Sequence, residues 1–350
     1  MSQTEHERSF GASGGLAAEA VLESGTDVVA IEIKARGYWE GVWLRLRRDK
    51  LALAGGVFIV ILFFVAFAGA PLAARILGHS PNDLFVGTEA IDLSLHPKPG
   101  PWLHLYDPYH DRNTVMVLGA DSSLGRDEFL RLLYGAQVSL EVAVGAMILS
   151  MVTGLLMGTS AGYFGGWIDT LISRITEITM AFPYLLFVIA LASTVGSRLD
   201  NVTLGFLGRG VITLVLVIGL FGWFYPARVF RATTLSLREK EFVEAARMVG
   251  ASDWRIMRSH ILPHLVAPFI VFSTLIIASY VLAEAGLSYL GLGIKLPTAS
   301  WGNMLSGATD FYLSVPTLMV WPGLALLLTT LAFNLLGDGL RDAFDPRSSH

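Results

Sequence analysis

The sequence predicts an all-α membrane protein with six transmembrane helices and an irregular extracytoplasmic segment after the first of them. Three observations carry this. Of the 350 residues, 53% are hydrophobic and only 15% charged, against roughly 25% charged residues in a soluble chain. The mean hydropathy is +0.57. The apolar residues are also clustered: 51–74, 142–168, 178–197, 210–227, 261–283 and 311–337 contain no Asp, Glu, Lys or Arg. About 20 helical residues cross a hydrocarbon core of ~30 Å, and 210–227 suffices if it tilts little. Helices buried in a soluble core seldom all lose their polar faces, so a soluble reading is set aside. The net charge of −4 does not discriminate among membrane proteins, and the absence of cysteine excludes disulfides, thiolate chemistry and cysteine-ligated metal.

The elements follow in order. Residues 1–41 are polar and rich in small residues, and they read as a solvated tail rather than a signal peptide. The basic run "WLRLRRDK" closes the segment 1–50 and abuts the first span, 51–74, which places the N-terminus in the cytoplasm by the positive-inside rule. The segment 75–134 then falls outside. Its "HPKPGPWLHLYDPYHDRN" holds too many prolines for a regular helix and predicts an irregular cap. His96, His104, Asp107, His110 and Asp111 fit no defensible ligand spacing and read as surface polar residues, with no metal site assigned. A permease-like core is expected over 135–340, followed by a cytoplasmic tail over 341–350.

Within that core, Gly154, Gly158 and Gly162 recur at four-residue steps in the second span. Such a face lets helices pack closely, either against a second membrane subunit or within this chain. The "YFGGWID" turn falls inside, and Arg174 and Glu177 stand three apart, as an ion pair on one helix face would. Pro183 and Pro322 fall within spans and predict kinks. Glu141 and Glu284 lie close to the outer ends of spans and read as solvated interfacial acids. The stretch "GIKLPTASWGNML" is an outer loop.

The segment 232–264, between the fourth and fifth spans, is the long charged exception, and it and its borders carry Arg228, Arg231, Arg238, Lys240, Arg247, Arg255 and Arg258. Ser236 and Glu239 have the spacing of a capping box. The helix they would start carries Phe242, Ala245, Ala246 and Val249 on one face. Gly250 tolerates a left-handed C-cap. Ser252 and Asp253 suit the start of a second helix bearing Trp254, Ile256 and Met257, and Pro263 marks the return to the membrane. Helix, glycine hinge and helix at the cytoplasmic face suggest a docking element for a soluble partner.

The stretch "EAARMVGASDWRIMRSHILP" resembles the EAA loop of the permeases of ATP-binding-cassette (ABC) importers. Glu244, Ala245, Ala246, Gly250, Leu262 and Pro263 match that pattern. His260 stands where the general pattern has Ile, a departure that points to the dipeptide/oligopeptide branch. Asp253 lies within the same loop. Further stretches resemble the C-type permease of peptide importers: "LGADSSLGRDEFLRLLYGAQVSL", "AGYFGGWIDTLISRITEITMAFP", "LAEAGLSYLGLG" and "AFNLLGDGLRDAFDPR". The similarity runs from about residue 43 to 347 and is weakest in the first forty residues and in the outer segment.

The resemblance implies the type I importer permease fold in a multi-pass subunit of the bacterial inner membrane, with both termini cytoplasmic. It implies a homologous permease as heterodimer partner, two cytoplasmic ATPases docking on the EAA loop, and an external substrate-binding protein. It also implies that the chain is no enzyme and carries no cofactor, since ATP and Mg²⁺ belong to the ATPases. The sequence agrees on that point. Lys34, Lys50, Lys98, Lys240 and Lys295 are the five lysines, and none lies in a G-x-x-x-x-G-K-[ST] phosphate loop. The branch serves peptides, nickel complexes and other small solutes, so the substrate stays open. An ion-coupled secondary transporter, the rival class, would place ionisable residues at mid-span, where these spans have almost none.

Overall fold

The computed structural model describes residues 38–107, 111–202 and 210–345. The sequence readings for residues 1–37, His110, 203–209 and 346–350 lie outside the described residues. The helices, in chain order, are α1 (Tyr38–Arg48), α2 (Lys50–Leu77), α3 (Glu128–Phe164), α4 (Gly166–Met180), α5 (Tyr184–Val202), α6 (Val211–Gly222), α7 (Phe224–Arg238), α8 (Glu241–Met248), α9 (Asp253–Tyr289), α10 (Trp301–Ala308) and α11 (Thr317–Phe344). A hairpin of β1 (Leu103–Asp107) and β2 (Arg112–Met116) lies between α2 and α3.

Five helical runs are long and apolar enough to cross a membrane: α2, α3, α6 with α7, α9 and α11. The sixth candidate is a bent pair, for α4 and α5 meet at 88° across Ala181, Phe182 and Pro183, the geometry of a broken span or of a re-entrant loop. Pro183 has no N–H to continue the ladder and biases Phe182 away from helical geometry. The bend borders a cleft of about 530 Å³ lined by Phe182, Tyr184, Phe187, Phe221 and Tyr280. Pro322, by contrast, is carried inside the continuous helix α11.

The core forms where α3 packs along α6 and α7, α9 against α3 and α11, and α2 against α11. Leu140, Val142, Ala146, Leu214, Ile218 and Val281 are buried there. Outward, the same helices present Val60, Phe64, Ile76 and Leu327. Only 22% of the most apolar window of α2 is buried within the chain. Water would not tolerate that surface, and lipid does.

Turns and bends make up most of the described part of the segment after α2, as expected of an irregular cap, and its one regular piece is the hairpin. The proline cluster Pro97, Pro99 and Pro101 precedes Leu103, so it leaves the alternating runs 103–107 and 112–116 free to pair in register from Leu103↔Met116 to Asp107↔Arg112. Leu105 and Met116 point into a small core with Phe85, Ala90 and Ala120. This unit is fastened to the head of α3. The Asp127 carboxylate accepts from the Leu130 N–H at 2.9 Å as N-cap, and its other oxygen is 2.9 Å from His79 Nε2. His79 Nδ1 is 3.0 Å from the Thr114 hydroxyl. Buried Arg131 pairs with Asp121 at 2.6 Å and donates to Asn82 and to the Pro297 carbonyl. The expected outer loop 293–305 is likewise structured. Ser300 and Asn303 form a capping box that starts α10, and buried Trp301 donates from Nε1 to the Leu132 carbonyl at 3.2 Å.

Candidate coupling site

Between α7 and α9 the structure builds a turn–helix–turn whose details differ from the sequence reading. Ser236 and Glu239 do not cap a helix start. α7 continues through Ser236 and ends at Arg238, with Glu239 at its C-cap. Helix α8 begins at Glu241 after Lys240, because an uninterrupted α7 already satisfies the backbone that a capping box would serve. The buried face of α8 differs too. Phe242 and Val249 are exposed, and Val243 is the fully buried residue. Val243 enters a cluster of Tyr163, Phe230, Ile256, Ile261 and Leu265, with Ala246 one turn on and partly buried against it.

The end of α8 is as the sequence predicts. Gly250 has φ +83°. Its N–H donates to the Arg247 carbonyl at 2.9 Å, and the Ala251 N–H reaches the Ala246 carbonyl at 3.0 Å. These are the paired 5→2 and 6→1 bonds of a Schellman cap. No atom lies within 4 Å of where a Gly250 Cβ would stand. The second helix is not a separate piece. Asp253 opens α9, a single helix to Tyr289 that passes through a π turn at Met257–Ile261 just ahead of Pro263. Asp253 accepts a 2.6 Å bond from the Tyr163 hydroxyl.

Of the other loop residues, Glu244, Ala245, Gly250 and Pro263 are exposed, while Ala246, His260 and Leu262 are partly buried. The Phe242 ring lies 5.3 Å from that of His264 and 6.5 Å from that of His260. Beyond the packed face, α8 and the α9 start show apolar surface: Met248 is 78% exposed, Val249 89% and Trp254 66%. Contiguous apolar exposure at the rim of a charged segment marks an interaction surface.

The glycine stripe packs within this chain. Hypothetical Cβ atoms on Gly154, Gly158 and Gly162 would stand 2.7 Å from Pro226 Cβ, 2.3 Å from the Ala227 carbonyl oxygen and 2.7 Å from the Arg231 carbonyl oxygen. All three therefore admit the backbone of α7. The Asp169 carboxylate grips the Arg231 guanidinium through two bonds, joining α4 to α7. Arg174 and Glu177 pair at 2.8 Å on an exposed face, as their spacing predicts.

Glu284 is not a solvated interfacial acid. It is fully buried and accepts from the Ser139 and Ser288 hydroxyls at 2.7 Å each. One hydroxyl comes from α3 and the other from one turn further along α9, and together they supply the polarity that the apolar surroundings of Glu284 hide. Glu141 keeps the partial exposure expected of it and accepts from Gln137 Nε2 at 3.0 Å. In the outer segment, backbone N–H bonds from His96 and Ser94 hold the Asp92 carboxyl below the usual range. Tyr106 donates to the Asp111 carboxylate, which raises the phenol pKa. His104 is exposed and Asp107 buried. No group of three or more His, Asp or Glu side chains is arranged to hold a metal ion among the described residues.

Residues 151–350 match the family of binding-protein-dependent transport system inner membrane components. Residues 37–96 match the N-terminal transmembrane domain of oligopeptide transport permease C. The chain belongs to this permease family. Similar proteins include the glutathione transport system permease protein GsiD of Pectobacterium atrosepticum, 36% identical over 88% of this chain and 91% of that one. GsiD of Shigella sonnei is 37% identical over 90% and 92%. A solved structure of the MetNI methionine ABC transporter in inward-facing conformations aligns with 61% of this chain and 97% of its own, at TM-score 0.48 and 19% identity. The main family match runs from the middle of α3 to the chain end and so contains α8, the Gly250 turn and all of α9. The protein is thus a multi-pass permease of the membrane.

Proposed function

We propose that this permease is the C-type membrane subunit of an ABC importer for peptides. A second, homologous permease completes the translocation pathway, and two cytoplasmic ATPases drive it. An external binding protein delivers the ligand. The observation that carries the reading is α8 itself. It is a short helix held to the body by Val243, with Met248, Val249 and Trp254 exposed around a turn that leaves Gly250 open to close approach. A chain without a phosphate-loop lysine needs an outside source of energy, and such a surface is where that source attaches.

The mechanism follows from continuity. The first turn of α9 lies at the docking surface, and its last turn is tied to α3 through Glu284, Ser139 and Ser288. Its 37 residues span about 55 Å at ~1.5 Å per residue. When the ATPases close and displace α8, α9 carries that displacement across the membrane. ATP and Mg²⁺ stay in the ATPases. Arginines around α7–α9 and the basic run before α2 support a cytoplasmic position for both ends of the chain, with the hairpin unit outside, where a binding protein docks. The named relatives move glutathione, a tripeptide thiol, and small peptides of that kind are the substrate class proposed here.

The test is reconstitution of the four-subunit complex in lipid with its binding protein. ATP turnover stimulated by the peptide-loaded binding protein, together with peptide uptake, is expected. Uptake driven by an ion gradient without ATP, or no stimulation at all, overturns the reading.

A further inference from the structure

Tyr163 sits at the end of α3, away from every residue of the EAA pattern in sequence, yet three parts of the coupling region meet on it. Its hydroxyl donates to Asp253 Oδ1 at 2.6 Å, at the first turn of α9. The Arg247 guanidinium of α8 lies over its ring, with Cζ 5.5 Å from the centroid. Its backbone carbonyl accepts from Arg238 Nη1 at 3.1 Å, at the end of α7. The ring itself is buried in the cluster that holds Val243, Ile256 and Ile261.

None of these contacts is needed to form the helices. The Schellman bonds at Gly250 close α8 by backbone alone, and Asp253 starts α9 with ordinary helical geometry behind Ser252. What the turn does not fix is the angle between α8 and α9. Gly250 has no neighbour within 4 Å of its missing Cβ, so packing at the turn does not oppose rotation there. A hydroxyl-to-carboxylate bond of 2.5–2.7 Å is of the strong, charge-assisted kind, and a cation over the same ring adds to it.

We infer that Tyr163 is a positioning residue for energy coupling: it clamps α8 and the first turn of α9 to the end of α3 as one body, so that a push on α8 moves the spans rather than bending the Gly250 turn. The inference rests on the coupling role proposed for α8. It adds a residue outside the loop and a specific bond, Tyr163 to Asp253, through which the motion passes.

The experiment uses the complete importer in proteoliposomes and reads three quantities: assembly, ATP turnover, and peptide taken up per ATP, with glutathione as the probe. Tyr163→Phe removes only the hydroxyl. Assembly and ATP turnover are expected to stay within about twofold. Uptake per ATP is expected to fall about tenfold, the order set by losing one hydrogen bond to a charged acceptor. Asp253→Ala gives the same loss, while Asp253→Asn, whose amide oxygen still accepts, retains most of the wild-type ratio. The double variant Tyr163→Phe with Asp253→Ala is no worse than the poorer single variant, because both remove one bond. An unchanged uptake-to-ATP ratio in Tyr163→Phe overturns the inference. So does a parallel loss of assembly, ATP turnover and uptake, which is what a purely structural role would give, and so does additivity in the double variant. If the wild-type complex shows ATP-driven uptake, the reading of α8 stands whichever way the variants fall. If it shows none, that reading fails first and the clamp with it.

Discussion

Gly158 has no room for a side chain, since an added Cβ would stand 2.3 Å from the Ala227 carbonyl oxygen. Backbone cannot swing aside as a flexible side chain can. Gly158→Val is therefore expected to separate α3 from α7 and destabilise the purified chain by about 1–3 kcal/mol, as overpacking does. A thermal unfolding scan in detergent reads this, and an unshifted transition would show that the helices do not meet there. Gly250 presents the opposite case. It has φ +83° and open space around it, so the added Cβ of Gly250→Val meets nothing among the described residues, yet the change strains the backbone by roughly 1–2 kcal/mol in the left-handed region. Expression and insertion are expected to be normal and ATP-coupled uptake to fall, with Gly250→Asn, which tolerates that region better, closer to wild type. Normal uptake by the valine variant would mean that neither the cap nor the open surface matters to coupling. The two glycines look alike in the sequence. The four-residue recurrence of Gly154, Gly158 and Gly162 signals close packing but not the partner, and only the fold shows that α7 fills the groove.

Among the elements, α8 is the one where the proposed docking role can be separated from folding. Glu244 is exposed on it and has no ion pair among the described residues. Glu244→Lys should change the stability of the isolated permease by no more than about 0.5 kcal/mol, as ordinary surface changes do. Placing a cation where a partner meets an acid should weaken association with the ATPases much more. Co-purification of the complex, with unfolding of the permease alone as control, compares the two. A fall in both together would make Glu244 a residue of the loop's own fold. The same element shows what sequence can convey. The glycine C-cap and the start of α9 near Asp253 follow from local chemistry, and local chemistry is written in neighbouring residues. The capping box at Ser236 and Glu239 fails because a long helix overrides a local signal. The buried face fails because Phe242 and Val243 are equally apolar, and only Tyr163, Ile256 and Ile261 decide which of them is covered. Likewise the Ser139 hydroxyl that meets Glu284, and the His79 that meets Asp127, come from other parts of the chain. Six apolar runs predict six crossings, but the 88° bend at Pro183 is stronger than an ordinary proline kink, since α4 and α5 have separate packing partners.

At the scale of the whole molecule, two surfaces distinguish the ends of the helical body. One end carries the hairpin unit, closed by its own core around Phe85, Leu105 and Met116 and bolted to α3 through Asp127 and Arg131. The other carries α8, Gly250 and arginines from α7 to α9. Between them, α2 exposes most of its apolar window, so the bilayer normal runs from one end to the other and only the sign of the orientation is left to choose. Charge chooses it. Arg45, Arg47 and Arg48 precede α2, and Arg247, Arg255 and Arg258 flank the Gly250 turn, and lysine and arginine are retained on the cytoplasmic side. The chain has no cysteine, so single cysteines report cleanly. Ser94 in the outer unit and Lys240 ahead of α8 are both exposed, and replacing either should leave the core untouched. In intact cells Ser94→Cys is expected to react with a membrane-impermeant maleimide and Lys240→Cys only after permeabilisation. The reverse pattern would put α8 on the outer face, out of reach of any cytoplasmic ATPase, and the coupling mechanism would fall with the orientation. Labelling of both sites in intact cells would put the hairpin unit and α8 on one side of the membrane, leaving only α3 and α6 with α7 as crossings between them, and the bent pair α4 and α5 would then be a re-entrant loop and not a span.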